Sequence, residues 1–196
     1  MATELFALVV LAGILALFFF LVFVLPVRIL AFAYRKIGVP PRYMFLIMLL
    51  TLLGQFVDIP LFSLGRTVVA INLGGALLPI LLSLYLFAQL PLRGRMLIGT
   101  AIVTVVVHSV AWIVPRQGIA IPWLVPPLAA AAVGLLLSFR RASPVAYVAG
   151  SMGTLIGADL MNLYRIAEIG APAVSIGGRG TFDGVFLTGI IAGLLV

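Results

Sequence analysis

Three aspartates, two asparagines and one histidine carry most of the chemistry this chain can offer. Asp58, Asp159 and Asp183 make up, with Glu4 and Glu168, the five acidic residues among 196, and His108 is the single histidine. Asp159 stands in Gly153-Thr-Leu-Ile-Gly157-Ala-Asp159-Leu-Met-Asn162. Residues three apart share a helix face, so Asp159 and Asn162 form a candidate ligand pair for a cation, a proton or a small polar solute. Gly153 and Gly157 point to another face, at a spacing that lets helices pack closely. The plainer alternative is that Asp159 pairs with Arg165 or another arginine to fix the helices.

Asp183 sits in Ile176-Gly177-Gly178-Arg179-Gly180-Thr181-Phe182-Asp183-Gly184. Thr181 suits an N-cap and Asp183 the positive end of a helix dipole, so capping alone can explain the aspartate. Gly177, Gly178, Gly180 and Gly184 exceed what a cap requires and would let backbone line a polar cavity. The segment lacks the Lys-Ser/Thr ending of a phosphate-cradling loop. Asn72, Gly75, Ala76, Pro79 and Ser83 fall along one small, polar helical face. There, Pro79 frees the Gly75 carbonyl for an ion or water, or simply marks a packed kink. Asp58 and His108 are secondary candidates; interfacial solvation or a pair with Arg66 would account for the first, a packing hydrogen bond for the second. Trp112 and Trp123 read as interfacial belt residues.

Absence narrows the chemistry further. With no cysteine there is no disulfide, thiol nucleophile or thiolate metal site. Neither a Ser-His-Asp arrangement nor a His-Glu-x-x-His motif occurs. No cofactor is expected, and the identity of any metal is open, with hard cations favoured over zinc.

These residues must be positioned by elements that live in lipid. The chain is 64% hydrophobic and 9% charged, with a mean hydropathy of +1.34, whereas soluble domains carry roughly 25% charged residues. A span needs about 20 apolar residues. The sequence therefore predicts one all-α integral membrane domain over 1–196, a transmembrane bundle of about seven helices. Their approximate ranges are 4–32, 43–62, 67–90, 95–114, 119–139, 144–165 and 181–196. The apolar run at the start lacks a basic leader and is expected to be a retained first helix. The last range is short for a full crossing.

Loop charge orients the bundle. Arg28, Arg35, Lys36, Arg42, Arg93, Arg95, Arg140 and Arg141 fall on one side, and Arg66, Arg116, Arg165 and Arg179 on the other. The positive-inside rule then places the N-terminus outside and the C-terminus inside. The net charge of +7 is thus topology and predicts no nucleic-acid partner. Asp58, Asn72, His108, Asp159, Asn162 and Asp183 all come to lie toward the outer end.

The strings Asn72-Leu-Gly-Gly-Ala-Leu-Leu-Pro79, Gly157-Ala-Asp-Leu-Met-Asn162-Leu and Gly180-Thr-Phe-Asp-Gly-Val-Phe-Leu-Thr-Gly189 resemble the prokaryotic membrane-protein family called domain of unknown function 1614. The resemblance covers most of the chain. It implies a multi-pass protein in the cell membrane of a bacterium or archaeon, and no activity.

Three functions fit. The first is a transporter or channel-like protein for a cation, proton or small polar solute, with Asp159, Asn162, Asp183 and Asn72 as ligands and the glycine-rich loop as outer gate. The second is an intramembrane aspartyl protease using Asp159 and Asp183, although neither aspartate has the Gly-x-Gly-Asp motif of such enzymes. The third is a non-catalytic scaffold or partner subunit. The lipid bilayer is the one partner expected in every case.

Overall fold

Prolines and glycines set where each helix starts and stops. The computed structural model describes residues 2–65, 67–178 and 184–196. The first rod joins α1 (Ala2–Phe19) through a π-turn at Phe20–Val24 to α2 (Leu25–Ile37). It ends at Gly38, whose φ of 108° allows its N–H to close on Tyr34 O and Arg35 O. Pro41, lacking a backbone N–H, opens α3 (Pro41–Gly54). Pro79 likewise sits in the first turn of α4 (Leu78–Gln89), behind a π-turn at Leu73–Leu77. α5 (Arg93–Val110) follows, then α6 (Val125–Leu137) with Pro126 and Pro127 in its first turn, and α7 (Ala142–Thr154). α7 runs into a π-turn at Leu155–Asp159, a 3-10 stretch at Leu160–Arg165 and the short α8 (Ile166–Ile169), and α9 (Gly184–Leu195) completes the chain.

Among the described residues the fold is mostly helical, at 73%, but the all-helical expectation is corrected by five strands. The stretches 43–62 and 67–90, expected to be unbroken helices, each contain one. α3 stops at Gly54, and β1 (Asp58–Leu64) runs antiparallel to β2 (Thr67–Asn72). Pro60 explains the first break, since inside a helix it would remove a hydrogen bond and collide with the preceding turn. It lies on the edge strand, where its missing N–H costs no ladder bond, and the register shifts between Pro60 and Phe62. β2 is rich in the β-branched residues that favour strands. The ranges 95–114 and 119–139 are interrupted by a second hairpin, β3 (Trp112–Val114) with β4 (Gly118–Ala120). β5 (Ala173–Ile176) then pairs parallel to β2, giving the order β1-β2-β5.

The connections divide between two ends. At one, Lys36, Gly38, Leu90, Arg140 and Ser143 line a common depression, and Arg95 Nη1 donates to Ser138 Oγ at 3.1 Å. At the other, the strands knit together: Thr67 Oγ1 donates to Ala171 O at 2.8 Å, Arg116 N to Ile169 O at 2.7 Å, and Leu73 N to Val57 O at 2.9 Å. α7 is the central staff, packed by α2, α4, α5, α6 and α9. Its Ala, Gly and Ser side chains let neighbours approach from every direction, and nearly all its residues are buried.

The outward surface is apolar. Phe18, Phe45, Leu53, Leu84, Leu97, Val105 and Leu136 are all more than half exposed. Among the described residues two helices, Val10–Ile37 and Arg93–Val110, are long and apolar enough to cross a membrane. The other apolar helices are shorter; α6, with 13 residues, extends only about 20 Å at about 1.5 Å per residue.

Candidate functional site

The strand-capped end positions two polar networks, joined through β5. In the first, Asn72 closes β2 and begins the π-turn before α4. Its Oδ1 accepts from Gly75 N at 2.7 Å, while Nδ2 donates to Gln55 O at 2.9 Å and to Asp58 Oδ1 at 3.0 Å. Asp58 Oδ1 also accepts from Ser175 Oγ at 2.6 Å. Asn72 therefore ties the end of α3 and both strands to the start of α4, and its polar atoms are committed to that task. It lies in no helix, contrary to the expected range of 67–90, because the β2 ladder claims its backbone.

Two residues beyond Ser175, the chain turns through Gly177, whose N–H donates to Asp159 Oδ2 at 2.7 Å. Only glycine fits here. Its φ is 84°, and a Cβ would lie 2.7 Å from Ala76 N and 2.8 Å from Gly75 C. β5 thus holds one aspartate by a side-chain hydroxyl and the other by the backbone that follows.

The second network sits where α7 unwinds. The π-turn at Leu155–Asp159 and the 3-10 stretch after it disturb the regular ladder, a common device at functional positions. Asn162 Nδ2 donates to Gly157 O at 3.1 Å and Ala158 O at 2.9 Å, and lies 3.4 Å from His108 Nδ1. His108 Nδ1 lies 3.2 Å from Gly157 O, so the protonated Nδ1 tautomer completes that contact from α5. Gly153 and Gly157 make the approach possible: a Cβ on the latter would stand 2.6 Å from Thr104 O. His108 ties α5 to the unwound end of α7, and Asn162 braces that turn from within. We expect Asn162→Ala to cost about 1–3 kcal/mol, the range for unmaking buried hydrogen bonds, read as a fall in Tm of the purified protein. A change below that range would show that these bonds are dispensable.

Asp159 borders two adjoining cavities, here called outer and inner by whether Arg116 or Trp123 lines them. The outer one, of about 290 Å³, is bordered by Arg116, Gln117, Leu163, Ser175 and Gly178. The inner one, also about 290 Å³, runs along α9 and is bordered by Ile119, Ile121, Trp123, Thr154, Thr188 and Ile191. Asp159, Gly178 and Ile119 border both. Thr154 is 1% exposed and its Oγ1 has no hydrogen-bond partner. Neither Asn72 nor Asn162 is among the residues that border these cavities.

Of the expected ligands, then, Asp159 opens onto free volume, while Asn72 and Asn162 serve backbone. Asp183 and Gly180 lie outside the described residues; Gly178 and Gly184 border the inner cavity. Arg165, expected as a partner for Asp159, pairs with Glu168 at 3.4 Å. Among the described residues no group of three or more His, Asp or Glu side chains is placed to hold a metal ion. Sequence reasoning missed Ser175, Thr154, Arg116 and the role of Trp123 at the cavity rim. For Ser175 a signal existed, a polar residue alternating within the apolar run Ala173–Ile176.

A family model described as protein of unknown function (DUF1614) matches residues 30–195. The chain belongs to this family. The matched stretch of DUF1614 takes in every residue of both networks and both cavities, including the three glycine-bearing strings. No curated protein and no solved structure matches the chain.

Proposed function

We propose that this DUF1614 protein is a seven-helix integral protein of a prokaryotic cell membrane, oriented with its N-terminus outside and its C-terminus inside. It conducts or transports a cation, proton or small polar solute through an outward-facing site at Asp159. The observation that carries this reading is the place of Asp159, a carboxylate that borders two cavities with one backbone donor on Oδ2. A carboxylate within apolar surroundings is costly, and such residues in membranes mark ion and solute sites.

The exposed apolar side chains on the helices support the membrane assignment. Orientation rests on the basic connections at the opposite end, where Lys36, Arg140 and Arg141 cluster. The strand cap supports the outer site, because irregular backbone at membrane depth is tolerated where it lines a cavity. Shorter helices such as α6 fit a bilayer that thins locally, or a cap that fills the outer interface.

Flux into proteoliposomes tests the reading. Uptake of radiolabelled small cations, inorganic and organic, and the signal of an internal pH dye are followed under an imposed potential; at least one is expected to exceed that of empty vesicles and to fall with Asp159→Asn. Uptake indifferent to that substitution would remove Asp159 from the function.

A further inference from the structure

The inner cavity is chemically lopsided. Among the described residues its border holds one carboxylate, Asp159, the two threonines Thr154 and Thr188, and otherwise apolar side chains such as Ile119, Ile121, Val185, Leu187 and Ile191, with the ring of Trp123 at the rim. We propose that it takes a monovalent organic ammonium ion with a compact apolar tail, the headgroup on Asp159 and the tail among these side chains. The assignment rests on the reading of Asp159 as a binding carboxylate and names the solute class.

Three observations select this ligand. A hard inorganic cation asks for about six oxygens, whereas among the described residues this border has one carboxylate and two threonines, Thr154 and Thr188. A bare proton needs no room, yet about 290 Å³ is open, near the lower end of cavities that hold small organic molecules. Thr154 borders the same space, and its buried Oγ1 has no hydrogen-bond partner within the protein. An electron-rich indole face at the rim adds a site for the positive headgroup in transit.

Among the described residues, charge decides which way the ligand lies. Arg116 borders the outer cavity and not the inner one. A headgroup between Asp159 and Thr154 keeps the carboxylate between itself and that guanidinium. The tail is then directed along α9, away from Arg116, and a second positive charge on the ligand would be repelled.

The test is equilibrium binding to the purified full-length protein, with benzyltrimethylammonium and phenethylammonium as probes. Tetramethylammonium, which lacks a tail, and phenylalanine, which adds a carboxylate, serve as comparisons. Saturable binding of both probes is expected, weakened at least tenfold by Asp159→Asn and several-fold by Trp123→Ala. Trp123 is 74% exposed, so its removal leaves the core intact and guards against a folding artefact at Asp159. Tetramethylammonium is expected to bind at least tenfold more weakly than the benzyl probe. Absence of saturable binding overturns the proposal, as does tetramethylammonium binding as tightly as the benzyl probe, or phenylalanine alone binding. In proteoliposomes, Asp159-dependent rubidium or proton flux with which the organic probes do not compete overturns the ligand and keeps the transport reading. Asp159-dependent binding of the probes without flux of any ion keeps the ligand and overturns transport.

Discussion

Asp159→Asn is expected to lower solute binding and flux by roughly 30-fold or more while leaving the fold in place. The two effects separate because the amide keeps one role of the carboxylate and loses the other. Asn Oδ1 can still accept from Gly177 N, the 2.7 Å contact that holds the loop after β5. What disappears is the negative charge facing the cavities. Truncating one partner of a desolvated charge pair costs about 2–5 kcal/mol, and about 1.4 kcal/mol is tenfold in affinity, which sets the scale of the loss. Parallel flux and thermal-melting measurements on the same preparation check this. A large fall in Tm with no flux to lose would instead make Asp159 a structural tether and favour the scaffold function.

The largest effect on stability is expected at Gly74, in the π-turn before α4. A Cβ there would collide with Thr51 O, lie 2.5 Å from Gln55 N and 2.8 Å from Gly54 C. All three are backbone atoms at the end of α3, so no side chain can swing aside. Reciprocally, a Cβ on Gly54 would lie 2.9 Å from Gly74 N. The two glycines let backbone cross backbone next to Asn72, which bonds Gln55 O and Gly75 N at the same junction. Overpacking commonly costs about 1–3 kcal/mol and more where nothing can relax, so Gly74→Ala is expected to cost about 3 kcal/mol or more. Gly94→Ala is the control: its Cβ meets nothing within 4 Å, and alanine is the better helix former by about 1 kcal/mol. Comparable yield and Tm for the two variants would contradict the close crossing.

The helices were legible because their signals are local. Long apolar runs, Pro41 and Pro126 at helix starts and Gly38 at an end all act within a few residues, whereas Pro79, expected inside the helix 67–90, stands in the first turn of α4. The spacing of Gly153 and Gly157 likewise pointed to close packing, and the structure lays that face against Val103 and Thr104 of α5. The strands were not legible, since the membrane criterion rewards hydrophobicity and β1 and β2 are mostly apolar. Ile59-Pro60 and the β-branched run at Thr67–Asn72 carried the counter-signal, overridden by the assumption that apolar means helical.

The site shows the same division. Asp159 and the bend at Gly177 could be singled out in one dimension, but the pairing between them spans 18 residues and depends on β5 docking beside β2. The pairing of Asp159 with Asn162 assumed a regular helix through both. The π-turn and 3-10 stretch change the pitch there, and Asn162 turns its amide onto the carbonyls of Gly157 and Ala158 instead. Asp58 and Ser175 are 117 residues apart and meet only because the parallel β2–β5 pair is formed.

Side-specific thiol labelling tests the outward-facing site most directly, and a chain with no native cysteine needs no background removed. Single variants Asp159→Cys and Gln117→Cys, in the two cavities, and Arg140→Cys, at the basic end, would be treated in intact cells with a membrane-impermeant maleimide. The account predicts labelling of the first two in intact cells, and of the third only after permeabilisation. Labelling of Arg140→Cys in intact cells, with Asp159→Cys and Gln117→Cys protected until lysis, would contradict it.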